Sequence, residues 1–102
     1  MFSNKDRDMR AEQLAKIALR LATESSYIQV TRDDVAKVAG VVPGVVNYSI
    51  GGAADLRNAI IIQAIRDENI TVLAQALALR HPEAINAPRL LKARAVQLIG
   101  TF

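Results

Sequence analysis

The chain of 102 residues has no cysteine and no tryptophan, a single histidine, two tyrosines, two phenylalanines and three prolines. Without cysteine there is neither a disulfide framework nor a thiolate metal site, and the redox compartment stays undetermined. His81 is the only histidine, and no spacing of it with Asp or Glu suits a metal triad or a general acid–base pair. Sequence therefore offers no catalytic residue and no metal ligand, and no function attaches to His81. Glycine-rich phosphate loops are missing too, so no nucleotide cofactor is expected. No stretch approaches the roughly 18 apolar residues of a membrane span, and MFSNKDRDMR lacks the apolar segment of a signal peptide. The expectation is a soluble cytoplasmic protein with no cofactor and no membrane partner. Aromatic residues make up 4% while hydrophobic residues reach 51%, a balance that suits close-packed helices better than a sheet sandwich.

What is present is modest in size and in charge. A chain this short buries a limited fraction of its surface, which makes help from a partner subunit plausible. The net charge is +3 and the pI is near 9.7. Residues 1–50 carry seven Lys or Arg against six Asp or Glu, and residues 51–102 carry six against four. No broad basic surface results, so any grip on phosphate must come from a few placed side chains and helix N-termini.

The organising stretch is TRDDVAKVAGVVPGVVNY, residues 31–48. Thr31 with Asp34 three residues on has the pattern of a capping box in its acidic variant, so a helix starts near Arg32. Val35, Ala36, Val38 and Ala39 supply its small or apolar positions. Gly40 follows where the chain must turn through a positive φ. Pro43 suits a first helical turn, so a second short helix spans Pro43 to Tyr48. Val41, Val45 and Val46 are its buried candidates. A capped helix, a glycine turn and a second helix give the outline of a helix-turn-helix, in which Ala36 leaves room for the crossing helix.

Several exposed candidates follow. Asn47 suits an adenine edge or a phosphate, and Tyr48 a phosphate oxygen or, alternatively, a half-buried core position. Gly44 has two readings, close approach of a DNA phosphate or a merely tolerated glycine. Lys5, Arg7 and Arg10 cluster where the first helix begins, from about Asp6 to Thr23. There they either meet phosphate or form a solvated face interleaved with Asp6, Asp8 and Glu12. That first helix carries Leu14, Ile17, Ala18 and Leu21 as its apolar stripe, and Tyr27, Ile28 and Val30 form an apolar connector.

Downstream, Ala53 to about Arg80 has no proline or glycine, and the pattern predicts one helix of roughly 40 Å. Its apolar residues spread over more than one face, which calls for several neighbours. A second subunit is the natural cover and an intramolecular hairpin with the last helix the alternative. The expected dimer contacts are Ile61, Ile65, Val72, Leu73, Ala76 and Leu77, with Leu91, Leu98 and Ile99 from a final helix that resumes after Asn86. Arg89, Lys92 and Arg94 read as that helix's solvated face.

From about Met9 to Ala64 the chain resembles the N-terminal domain of TetR-family transcriptional repressors. The likeness rests on the capped TRDDVAKVAGV helix, a following helix with glycine and tyrosine, and a further helix opening near Asp55 and Leu56. It implies an all-α protein: a three-helix DNA-binding bundle over residues 1–52, then a long fourth and short fifth helix over 53–102 for dimerisation, forming one compact domain overall. It also implies a homodimeric repressor on a palindromic operator in double-stranded DNA. It places Thr31 and the start of the first helix on the DNA backbone, and with the candidates read from the residues the expected contact set is Lys5, Arg7, Arg10, Thr31, Arg32, Pro43, Gly44, Val45, Asn47, Tyr48 and Ser49. Departures are specific. Val42 stands where the family commonly has serine, Asn47, Ser49 and Ile50 replace a Tyr, His and Phe pattern, and Ala53 replaces a lysine. Two expected phosphate contacts are thereby lost, which also keeps open a dimerising antagonist with little DNA binding. At 102 residues the resemblance implies a repressor with no evident small-molecule effector, of a kind suited to a plasmid or phage genome.

Overall fold

The computed structural model describes residues 4–99, and side chains from Met9 onward. The described chain is all helical, without strands: α1 Asn4–Glu24, α2 Arg32–Ala39, α3 Pro43–Ser49, α4 Ala53–Arg66, α5 Ile70–Ala78, α6 Pro82–Ile85 and α7 Arg89–Ile99. The first helix buries Leu14, Ala15, Ala18, Leu19 and Ala22, with Ile17 and Leu21 packed at the margin. Against it lie α2, α3, α4 and part of α5. A continuous core runs from Leu14 to Ala95, its largest fully buried side chains being Ile60, Ile61, Leu73, Val35, Val46 and Val72.

The expected long helix from Ala53 to Arg80 is broken. It stops at Arg66 and restarts at Ile70. Glu68 sits in the left-handed region with φ 53°, and the N–H groups of Glu68 and Asn69 donate back to the carbonyls of Ile65 and Ala64 at 3.3 and 2.8 Å. That pair of bonds is the usual left-handed helix stop, here without the glycine that normally marks it. Asn69 then accepts from the Val72 N–H at 3.1 Å and donates to the Thr23 hydroxyl at 2.9 Å, capping α5 and tying the turn to the end of α1. Arg80, φ 56°, ends α5 in the same way, through bonds from the Arg80 and His81 N–H groups to Leu77 and Ala76.

The break changes who covers whom. Folded back, α5 packs along α7, so the intramolecular alternative accounts for the apolar faces. Of the expected dimer contacts, Ile61, Val72, Leu73 and Ala76 are fully buried in the chain's own core and Leu91 nearly so. Ile65, Leu77, Leu98 and Ile99 are half-buried against that core. The buried five offer no surface to a second copy, because the core already occupies them. Large apolar side chains left exposed in this half are Ile62, Leu79, Ile85, Leu90 and Val96.

The connector between α1 and α2 is held from the far half. Gln75 accepts from the Tyr27 N–H at 3.1 Å and donates to the Ala22 carbonyl at 3.2 Å. Tyr27 is buried and meets the edge of His81 at 6.0 Å between ring centroids. His81 in turn accepts from the Glu83 N–H at 3.1 Å, opening the unexpected short helix α6.

Candidate nucleic-acid interface

The N-terminus of α2 is fastened by a reciprocal cap. Thr31 has extended backbone, its hydroxyl accepts from the Asp34 N–H at 3.2 Å, and its own N–H donates to the Asp34 carboxylate at 3.0 Å. The Thr31 N–H, and after it the Thr31 hydroxyl, hold the Asp34 carboxyl below its ordinary pKa. At the other end Gly40 adopts φ 72°, and the Val41 N–H returns to the Ala36 carbonyl at 3.0 Å. Ala36 is buried, as the close crossing of α2 and α3 requires.

Helix α3 starts at Pro43 from Val42, whose side chain provides no cap. Val46 and Ser49 are buried, and Val45 is half-buried. Pro43, Gly44, Asn47 and Tyr48 share the opposite face, spaced i, i+1, i+4 and i+5, and are exposed; Tyr48 is 67% accessible. A methyl built on Gly44 meets nothing within 4 Å. No contact inside the chain therefore demands glycine there.

Two of the sequence candidates stand differently from expectation. Ser49 is buried on the inner face of α3, and its hydroxyl oxygen has no hydrogen-bond partner. It cannot reach a base or a phosphate from there, because the helical spacing that exposes Asn47 and Tyr48 turns Ser49 inward. Asn47 is exposed but engaged. Oriented to suit its neighbours, its amide donates to the Gly51 carbonyl at 2.9 Å and accepts from the Arg32 guanidinium at 3.0 Å. Arg32 also lies 3.8 Å from Asp33. Arg10 is exposed on α1, while the side chains of Lys5 and Arg7 lie outside the described residues.

The structure brings Thr31, Arg32 and Asn47 together on one groove of about 380 Å3, which also takes in Gly52, Ala53 and Arg57. Gly51 holds φ 123°, and a side chain there would collide with the Asp55 carboxylate that accepts from the Gly52 N–H at 3.0 Å. The turn thus sets the N-terminus of α4 beside that of α2. Arg57 was not among the sequence candidates. The signal was its spacing, since Ala53 and Arg57 are four residues apart and share a face of α4. Comparison with known proteins gives no relative: no protein-family model, no curated protein and no solved structure matches the chain.

Proposed function

We propose that the chain is a TetR-like transcriptional repressor that binds double-stranded DNA as a homodimer through a helix-turn-helix formed by α2 and α3. The supporting observation is the uncovered face of α3, with Pro43, Gly44, Asn47 and Tyr48 outward and the Arg32 and Arg57 cations on the adjoining groove. Arg57 supplies a cation one helical turn along from Ala53, on the face where the resemblance leads one to expect lysine. A helix N-terminus and an arginine can both hold backbone phosphate, while the exposed side chains of the second helix reach base edges. Two-fold symmetry then asks for half-sites about 10 bp apart or a multiple of that. A second copy must use apolar residues outside the core, of which Ile62, Leu79, Ile85, Leu90 and Val96 are the large exposed ones in the C-terminal half.

Titration of a labelled duplex from upstream of the chain's own gene, over a range of salt, tests this. Specific binding should weaken as salt rises, and Arg57→Ala should lower the salt slope by roughly one phosphate contact. Equal affinity for scrambled DNA would sink the proposal.

A second reading, a dimerising antagonist with little DNA binding, has its own support. Helix α3 carries no charged residue, Ser49 faces inward, and Asn47 is already bonded within the chain. No specific binding even at low salt, together with tight association with a DNA-binding partner of similar fold, would favour it.

A further inference from the structure

The groove beside Arg57 has a composition that backbone phosphate alone does not explain. Its cations are Arg32 and Arg57, and no acidic side chain lines it. Its floor is apolar, made by Val30 and Leu56, with the exposed side chain of Ile28 on its wall. A second cavity of about 240 Å3 shares Ile28 and Arg57 and continues past Tyr27 and His81, again with no acidic lining. Among the described residues no carboxylate pairs with Arg57, and the nearest acid to Arg32 is Asp33 at 3.8 Å on its Nε. The opening turn of α4 also reaches the groove at Gly52 and Ala53, the Gly52 N–H being taken by the Asp55 carboxylate at 3.0 Å. A volume of about 380 Å3 lies within the range of roughly 300–1,000 Å3 seen for small-molecule sites, which combine mostly apolar walls with a few placed polar groups.

We propose that this groove binds a small organic anion, its carboxylate or sulfonate held by Arg57 and Arg32 and its apolar body resting on Ile28, Val30 and Leu56. A guanidinium matches a planar carboxylate in two parallel hydrogen bonds. An inorganic phosphate would satisfy the cations and leave the apolar floor wet, whereas a neutral apolar molecule would leave Arg57 without a counter-charge. The assignment is independent of the DNA-binding proposal, because it needs only the groove.

The test uses the whole chain without DNA. Amide NMR spectra are followed while 2-naphthoate, its neutral analogue 2-naphthalenemethanol, or inorganic phosphate is added. Saturable shifts are expected with 2-naphthoate, concentrated at residues 28–32 and 52–57. Arg57→Met, an exposed position, should weaken that binding about tenfold or more while leaving the melting temperature in place, and Arg57→Lys should restore part of it. Equal binding of the alcohol, equal binding of phosphate alone, no saturation by 2-naphthoate, or an Arg57→Met variant with unchanged affinity would each overturn the proposal.

Discussion

The Arg32 guanidinium donates to the Asn47 side-chain oxygen at 3.0 Å while the Asn47 amide donates to the Gly51 carbonyl at 2.9 Å. The first residue of α2, the exposed face of α3 and the turn before α4 are thereby joined through one side chain. Asn47→Ala is expected to cost about 1 kcal/mol of stability, and Arg32→Ala with Asn47→Ala to be less than additive. Urea denaturation of the two single variants and the double variant checks this, and fully additive losses would mean that the link contributes nothing. Any loss of DNA binding by Asn47→Ala must be compared with Arg32→Ala before base contact is inferred.

Gly44 separates fold from function more cleanly. With nothing within 4 Å of an added methyl, Gly44→Ala should stabilise the isolated chain by roughly 0.5–1 kcal/mol through helix propensity. If DNA backbone approaches α3 closely, the same variant should bind the operator more weakly. A rise in melting temperature with unchanged DNA affinity would remove Gly44 from the interface.

The Glu68 turn gives a prediction with a sign. In the left-handed conformation a non-glycine residue is disfavoured by about 1–2 kcal/mol, so Glu68→Gly should raise stability by about 1 kcal/mol. Were residues 53–80 one straight helix, the same substitution would lower it by about 1 kcal/mol. Chemical denaturation distinguishes the two outcomes.

At the α2 cap, Asp34 has a lowered pKa because the Thr31 N–H it accepts from, and after it the Thr31 hydroxyl, favour its charged form. A depressed carboxylate pKa adds stability above the unfolded-state value, about 3.9, and this is lost as pH falls through the lower folded-state value. Thr31→Val should cost about 1 kcal/mol near neutral pH and flatten the acid limb of the stability profile. Because valine keeps the Thr31 N–H bond, an acid limb identical in both proteins would show that the hydroxyl adds nothing to the titration of the cap.

Association is checked at Leu90, 80% accessible on α7. Leu90→Glu should leave the chemical denaturation midpoint of the monomer within about 0.5 kcal/mol and shift a sedimenting dimer toward monomer. A wild-type chain that sediments as a monomer at micromolar concentration would contradict the proposed homodimeric repressor.

The capped α2, the Gly40 turn and the Pro43 start were legible because each is written in a residue with few conformational alternatives. The break near Asn69 was less so. Its left-handed stop falls on Glu68, a residue that signals helix rather than turn, and the Asn69 cap that restarts α5 is tied by its amide to Thr23, 46 positions away. One misplaced break propagated, since a straight helix leaves Leu73 and Ala76 in need of a partner that the folded-back α7 supplies. At the site, periodicity placed Tyr48 outward but could not show that Asn47 was bonded across the turn. Ser49 lies one position past the exposed pair, and that single step of 100° turns it inward.

The Gln75 bonds to Tyr27 and Ala22 reach across 48 and 53 positions of sequence. They fix the connector between α1 and α2 from a helix that a shortened chain ending after α3 would lack. Amide hydrogens of Tyr27 and of the α2 cap should therefore exchange with solvent in step with those of α5. For protein engineering, residues 1–52 grafted alone onto another scaffold would arrive without the Gln75 bonds that hold that connector.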